Sequence, residues 1–157
     1  MRIAIIGCGN MGTAYARSFR KYGLAKADEL LLVIRGAGRR QQLEHLGQVI
    51  DTVDERISSS ELVIIAVKPQ DFSGIAPSLS AVLRPGQVVL SIMAGITLQR
   101  LSEHLGHETV VRAMPNAPHA DRHGYHRLRH WSRAEHAANA HGGAAAQLHR
   151  SRHAPGR

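Results

Sequence analysis

The chain has 157 residues, of which 43% are hydrophobic and 20% are charged, and its formal net charge is +8. This length is enough for one globular domain, and the single cysteine, Cys8, excludes an internal disulfide, as is usual in the reducing cytosol. Gly9 interrupts the apolar amino terminus too early for a signal peptide, and no apolar run approaches the roughly 20 residues that span a bilayer. We therefore expect a cytoplasmic protein that does not enter a membrane.

The positive charge and the histidines are concentrated after Pro118. Residues 1–118 carry 13 Lys or Arg against 10 Asp or Glu, a balance of +3, whereas residues 119–157 carry seven Arg against two acidic residues. Those last 39 residues also hold eight of the 11 histidines and contain no Val, Ile, Phe or Met. Such a segment cannot bury enough apolar surface to offset its ordering entropy. We therefore predict a folded domain over residues 1–118 and a disordered tail over residues 119–157.

Within the first 118 residues, apolar runs of strand length alternate with segments of helical period. The predicted strands cover residues 3–6, 30–34, 48–50, 62–67, 88–93 and 109–113. Helices are predicted from residue 11 to a stop at Gly23, over 39–46, within 72–83 and over 98–105. Residues 62–67 are apolar throughout, which is typical of a strand buried on both faces of a parallel sheet. The alternating order predicts an α/β fold with a doubly wound, Rossmann-like parallel sheet.

A glycine motif, G-C-G-N-M-G, begins at Gly7, directly after the first predicted strand, and opens the first predicted helix. Gly7 permits a tight turn, Gly9 lets the backbone approach a pyrophosphate, and Gly12 permits close packing of the helix on the strand. Asn10 and Met11 lie within the motif where the predicted helix begins, and a helix N-terminus favours an anion. The motif in this context predicts dinucleotide binding; the alternative is a tight turn that only packs.

The end of the second predicted strand favours NADPH over NADH. Sites for NAD usually carry an acidic residue there to bind the ribose 2′-hydroxyl, but this chain has Ile34 and Arg35, followed by Arg39 and Arg40. Because a guanidinium can bond a phosphate with two N–H groups, Arg35 is a candidate ligand of the 2′-phosphate. The alternative is that these arginines form a solvated surface cluster.

Three further motifs follow predicted strands: A-V-K-P-Q at residues 66–70, S-I-M-A-G-I at 91–96 and V-R-A-M-P-N-A-P at 111–118. Together with the glycine motif, they resemble the amino-terminal domain of pyrroline-5-carboxylate reductase across residues 1–118. That family performs the last step of proline biosynthesis, the reduction of the ring imine of 1-pyrroline-5-carboxylate to L-proline with NADPH or NADH. One departure is Ala117, where the family usually has Thr.

The resemblance implies further cofactor-binding positions, since the carboxyl ends of parallel strands surround the ligand crevice. These positions are Ala66, Val67, Lys68, Pro69, Met114 and Asn116. We expect the two groups to border the nicotinamide and its ribose, although Lys68 could instead be a strand-end lysine with a solvated amine. Cys8 is expected to pack in the loop rather than to act as a nucleophile, because hydride transfer needs no protein nucleophile. The catalytic residues stay unknown, and no metal site is predicted.

In the same family, a helical carboxy-terminal domain supplies dimerisation and most of the imino-acid site. Nothing after Pro118 resembles that domain. A small-molecule imino-acid substrate and a homo-oligomer are therefore implied for the family, whereas we expect this chain to bind NADPH weakly or not at all and to turn over poorly. The competing hypothesis is a non-catalytic NADP-binding module.

A change of reading frame accounts for the composition of the tail. If the first base of the His119 codon is omitted, the genetic code permits T-Q-I-G-M-G-I-T-G-F-A-T-G directly after Pro118, which resembles how the family continues. Two other hypotheses are a metal site formed by the histidines, against which the neighbouring arginines argue, and nonspecific nucleic-acid binding by the arginines. Only Tyr125 and Trp131 could stack on bases, so a nucleic-acid partner is not favoured.

Overall fold

The computed structural model describes residues 1–114 and 127–131, which form a single β-sheet with helices on both faces. The strands, in chain order, are β1 (Ile3–Ile6), β2 (Leu30–Val33), β3 (Gln48–Ile50), β4 (Leu62–Ile65), β5 (Val88–Ser91), β6 (Val110–Met114) and β7 (Arg127–Trp131). The α-helices are α1 (Asn10–Lys21), α2 (Arg40–Leu43), α3 (Pro69–Val82) and α4 (Leu98–Leu105). Short 3-10 turns cover Ala27–Glu29, Ala37–Arg39 and Glu55–Ser59.

The sheet has the strand order β3-β2-β1-β4-β5-β6-β7. β1 is an inner strand and pairs in parallel with both β2 and β4, so that Ile5 has Leu32 on one side and Ile64 on the other. The chain leaves β1 toward β2 and later returns to the other side of β1 with β4. This reversal is the switch point at which open α/β sheets bind ligands. The predicted doubly wound, Rossmann-like parallel sheet is confirmed for β1 to β6.

Alternate residues of β1 stabilise the two faces of the sheet. Ile3 and Ile5 belong to the apolar core that contains Ala16 of α1, whereas Ala4 and Ile6 belong to the core that contains α3 and α4. All four strand residues are at most 2% exposed. Burial of each large aliphatic side chain stabilises the fold by about 1.5–3 kcal/mol, so β1 is held rigidly where the glycine motif begins.

Three predicted boundaries differ from the structure. β4 ends at Ile65 rather than at residue 67, because its ladder partner β1 ends at Ile6 and the apolar residues beyond have no strand beside them. α3 begins at Pro69, earlier than predicted, since a proline at the first helical position loses no hydrogen bond. The helix predicted over residues 39–46 is reduced to α2. The remaining boundaries agree to within two residues.

β7 lies in the segment for which the composition predicts disorder. It pairs antiparallel with β6, so that Val110 faces Trp131 and Met114 faces Arg127. An edge strand presents unpaired N–H and C=O groups to any extended segment, and backbone pairing of this kind does not require an apolar sequence. The rest of the tail and the predicted domain boundary at Pro118 lie outside the described residues.

No helix in the part of the chain that the structure describes is long and apolar enough to cross a membrane.

Candidate functional site

A glycine turn joins β1 to α1 at the switch point of the sheet. Gly7 has φ +93°, a conformation that L side chains rarely adopt, and its N–H donates to the carbonyl of Val33 at 2.9 Å. A Cβ on Gly7 would lie 2.7 Å from Cγ1 and 2.9 Å from the backbone nitrogen of Val67. Both the backbone conformation and the segment that follows β4 therefore require glycine at this position.

The other two glycines of the motif have contrasting surroundings. A Cβ on Gly12 would lie 2.1 Å from the carbonyl oxygen of Gly7, so α1 packs directly on the turn. A Cβ on Gly9 would meet no atom within 4 Å among the described residues. Gly12 is thus required by packing, whereas Gly9 borders open space into which a ligand can fit. This is the division of roles that the glycine motif predicts.

The N-terminus of α1 faces the same open space. Its N-cap is Gly9, which has no side chain to accept a hydrogen bond, and its first turn contains no acidic residue. The first N–H groups of a helix have no intrahelical acceptor, while Arg20 and Lys21 occupy the last turn and complement the helix dipole. Asn10 and Met11 are exposed in the first turn. An anion bound beside them would satisfy these N–H groups.

A pocket of about 380 Å³ lies beside the turn, between the carboxyl ends of β1, β2, β3 and β4 and the first turns of α3. Its lining residues are Ile6, Gly7, Val33, Ile34, Arg35, Asp51, Val53, Val67, Lys68, Asp71 and Ile75. Most of these side chains are apolar, and the charged ones comprise two cations and two carboxylates. A concave apolar site with a few charged groups suits a flat aromatic ring joined to a polar sugar.

The three arginines after β2 make different contacts. Arg35 lines the pocket, is 77% exposed, and its Nη1 lies 3.3 Å from Oδ1 of Asp71. The Nη1 of Arg39 donates to the carbonyl of Cys8 at 3.1 Å. Arg40 donates to the carbonyl of Val49 at 2.9 Å. The three arginines therefore bond different partners, and of the three only Arg35 lines the pocket.

The thiol of Cys8 is buried in the turn. The residue is 4% exposed, and burial raises the pKa of the thiol from 9.0 to about 12, against an opposing effect of the Arg39 charge. A thiol with this pKa is protonated at neutral pH and is a poor nucleophile. These observations support the packing role expected for Cys8.

The structure brings only some of the predicted site residues together. Gly7, Arg35, Val67 and Lys68 line the pocket, and the rest of the glycine motif is adjacent to it. Lys68 is the N-cap of α3 and Pro69 is its first residue, so both belong to a helix start rather than to a loop.

The remaining predicted positions lie apart from the pocket. Ala66 packs against the core on the α1 side of the sheet. Met114 ends β6, two strands away from β4. Asn116 and Ala117 lie outside the described residues.

Two carboxylates of the pocket were not predicted from the sequence. Asp51 directly follows β3, and Asp71 lies in the first turn of α3. A signal existed for Asp71, because Pro69 marks a helix start and acidic residues are common in the first turn. Within residues 1–114 and 127–131, no group of three or more His, Cys, Asp or Glu side chains could hold a metal ion.

The sheet, the glycine turn and the pocket at the switch point define a Rossmann-like nucleotide-binding domain. Residues 2–95 match the family model described as NADP oxidoreductase coenzyme F420-dependent. Because this match covers more than half of the chain, the protein belongs to that family of oxidoreductases.

The individual proteins to which the chain is similar have more specific names than the family model. The chain is 30% identical over 119 residues to a pyrroline-5-carboxylate reductase of Pisum sativum, a match that covers 75% of this chain and 44% of the relative. It is 34% identical over 120 residues to the pyrroline-5-carboxylate reductase of Pseudomonas aeruginosa, which covers 74% and 44%. The resemblance predicted from the motifs is thereby confirmed. The chain spans less than half the length of these relatives.

A solved structure agrees with the fold. The pyrroline carboxylate reductase of Plasmodium falciparum with NADP bound is 18% identical, with a TM-score of 0.70 over 92% of this chain and 53% of that chain. At this identity the likeness shows the fold alone.

Proposed function

We propose that residues 1–118 form the NADP(H)-binding domain of a pyrroline-5-carboxylate reductase. The observation that carries the proposal is the pocket of about 380 Å³ beside the glycine turn, at the switch point of the sheet. The start of α1 offers N–H groups that have no intrahelical acceptor, and the pocket is lined by apolar side chains, two cations and two carboxylates. A dinucleotide has the matching parts, an anionic pyrophosphate and an adenosine.

The adenosine half fits the pocket. Ile34, Val53 and Ile75 supply apolar surface for the adenine ring, and Arg35 supplies a guanidinium for a ribose 2′-phosphate. In this arrangement Val67 and Lys68 contact the adenosine side, because they line the same pocket as Arg35. This differs from the nicotinamide side on which the motif resemblance places them.

The pyrophosphate is assigned to the glycine turn. Gly9 leaves open space for it, and the N–H groups of the first turn of α1 donate to its oxygens. Beyond it, the carboxyl ends of β5 and β6 border the nicotinamide, with Met114 at the end of β6 and Asn116 after it. These two residues are retained as cofactor positions on the strength of the motif resemblance.

NADPH is the preferred cofactor in this proposal, and NADH is the alternative. Arg35 favours a 2′-phosphate, whereas Asp51 and Asp71 in the same pocket could accept hydrogen bonds from a 2′-hydroxyl. Arg35 is already paired with Asp71, so its preference for phosphate depends on breaking that pair. The preference for NADPH over NADH therefore depends on both Arg35 and Asp71 rather than on Arg35 alone.

The proposed reaction is the reduction of the ring C=N of 1-pyrroline-5-carboxylate to L-proline. When bound, NADPH supplies the hydride that the imine carbon accepts, and the ring nitrogen gains a proton. The described residues bind and orient the cofactor; no catalytic residue is assigned to them. An imino-acid substrate and assembly into a homo-oligomer are proposed from the relatives, and the buried thiol of Cys8 fits a reducing cytoplasm.

Calorimetric titration of the 157-residue chain with NADPH and NADH tests the binding, and proline formation tests the reaction. We expect saturable binding that favours NADPH, with little proline formed. Binding without any turnover would favour a non-catalytic NADP-binding module. A chain that melts cooperatively but binds neither dinucleotide would contradict the proposal.

A further inference from the structure

We infer that Arg39 is a positioning residue that holds the glycine turn in its binding conformation, and that it does not bind the 2′-phosphate. The inference rests on the proposed dinucleotide site. Arg39 lies in the short 3-10 turn between β2 and α2, which places it four positions beyond Arg35. Both arginines follow β2 and carry a guanidinium that could bond a phosphate, yet their contacts separate them.

The carbonyl of Cys8 receives two hydrogen bonds. Nη1 of Arg39 donates to it at 3.1 Å, and the hydroxyl Oγ1 of Thr13 donates to it at 3.1 Å. Thr13 is buried in α1, and its backbone N–H also donates to the carbonyl of Gly9 at 3.0 Å. The carbonyl oxygen of Cys8 therefore connects the glycine turn by hydrogen bonds to α1 and to the segment after β2.

These two bonds fix the orientation of the peptide between Cys8 and Gly9. In a trans peptide the C=O and the following N–H point in opposite directions. With the carbonyl of Cys8 held toward Thr13 and Arg39, the N–H of Gly9 is directed away from both. Gly9 is also the residue of the turn that borders open space. These two hydrogen bonds thus orient the N–H of Gly9 toward a ligand before the ligand binds, and no rearrangement is needed.

The Arg39 bond is the stronger of the two and the one that can be removed without disturbing the core. Its donor is charged, which strengthens the hydrogen bond, and the Arg39 side chain comes from an exposed residue. Arg40 is the natural control, because it is the next residue and also bonds a backbone carbonyl. That carbonyl belongs to Val49 in β3, and no contact joins Arg40 to the glycine turn among the bonds that the structure describes.

The primary experiment measures the dissociation constants for NADPH and NADH in the 157-residue chain. We expect Arg39→Met to weaken both by about tenfold, with their ratio unchanged, because the turn serves the pyrophosphate that both cofactors share. Arg39→Lys keeps a charged donor and should recover part of the loss. Arg40→Met should change either constant by less than about twofold, because Arg40 is linked to the pocket by a solvent-screened ion pair with Asp51 at 3.9 Å. A loss confined to NADPH would make Arg39 a phosphate ligand, and unchanged constants would remove its role; either result overturns the inference.

A second measurement does not depend on cofactor binding. The rate at which a disulfide reagent modifies the single thiol, Cys8, reports on opening of the turn in the folded protein. Loss of the Arg39 charge alone would slow the reaction, because that charge lowers the pKa of the thiol. An open turn would expose the buried thiol and speed the reaction. We expect faster modification in Arg39→Met and the wild-type rate in Arg40→Met; an equal or slower rate in Arg39→Met overturns the inference.

The affinity measurement tests the proposed cofactor site as well as Arg39, whereas the reactivity of Cys8 tests the role of Arg39 alone. If the wild-type chain binds neither cofactor, the proposed function fails, while the reactivity of Cys8 still decides whether Arg39 holds the turn.

Discussion

Arg35 and Asp71 form an ion pair at the pocket, with 3.3 Å between Nη1 of the arginine and Oδ1 of the aspartate, although 36 positions separate them in the sequence. Arg35 is 77% exposed and Asp71 is 31% exposed, so solvent screens the pair. The same guanidinium is the candidate ligand of the 2′-phosphate. In the proposed site, Asp71 would therefore compete with the cofactor for Arg35.

This competition predicts that Asp71→Asn strengthens the preference for NADPH. The substitution releases Arg35 and removes a negative charge near the phosphate, and we expect the affinity ratio of NADPH to NADH to rise by about threefold. Asp51→Asn is the matched control, because it removes a charge from the same pocket without freeing Arg35. Calorimetric titration gives both ratios. An equal rise in the two variants would show that only the net charge of the pocket matters.

Alanine substitution is expected to affect mainly stability at Gly12 and mainly cofactor binding at Gly9. In Gly12→Ala the new Cβ would lie 2.1 Å from the carbonyl oxygen of Gly7, so we expect a loss of stability of about 1–3 kcal/mol or more. In Gly9→Ala the new Cβ meets open space, and we expect a cost below about 1 kcal/mol together with weaker cofactor binding. Thermal unfolding and NADPH titration measure the two effects. If Gly9→Ala bound NADPH as tightly as the wild type, Gly9 would not face the ligand.

The buried thiol predicts a loss of stability at alkaline pH. The pKa of Cys8 is raised from 9.0 to about 12 by burial, so between these values the unfolded chain has released a proton that the folded chain retains. Stability contributed by the neutral thiol is present below pH 9 and falls as the pH rises toward 12, with a slope of at most about 1.4 kcal/mol per pH unit.

The check is urea unfolding between pH 8 and about pH 10.5, comparing the wild type with Cys8→Ala. Every other titrating group is common to both proteins, so the difference between their free energies of unfolding isolates the thiol. We expect the wild type to lose its advantage over Cys8→Ala as the pH rises. A constant difference across the range would mean that the thiol is solvated in the folded state.

The composition of residues 119–157 predicts a frame change near codon 119. Reading the nucleotide sequence across codons 116 to 122 independently from the source DNA tests it, and we expect one extra base. With that base removed, the chain would continue with the sequence that resembles pyrroline-5-carboxylate reductases. If the frame stands as it is, the tail belongs to the protein, and the pairing of β7 with β6 is part of its fold.

The sheet and the glycine turn were predictable because their signals are local. The apolar run of residues 62–65 and the spacing of Gly7, Gly9 and Gly12 lie within a few positions of the chain, and each acts through its own neighbours. The start of α3 was missed by three residues, because apolar Ala66 and Val67 continue the strand pattern although β1 no longer runs beside them.

The roles of the arginines were not predictable, because their partners are distant in sequence. Arg35 meets Asp71 and Arg39 meets the carbonyl of Cys8 across 36 and 31 positions, respectively. Both contacts arise only when the sheet order brings the segment after β2 beside the turns that follow β1 and β4. The pairing of β7 with β6 has no local signal either, since it depends on the free edge of β6 rather than on apolar side chains.

In the proposed site, the pocket beside Arg35 holds the 2′-phosphorylated adenosine of NADP(H). The decisive experiment titrates the 157-residue chain with adenosine 2′,5′-bisphosphate and with adenosine 5′-monophosphate, which carry no nicotinamide. We predict that the bisphosphate binds about tenfold more tightly than the monophosphate in the wild type, and that Arg35→Met abolishes this difference while Arg40→Met preserves it. Equal binding of the two nucleotides by the wild type, or a preference that survives Arg35→Met, would contradict the claim.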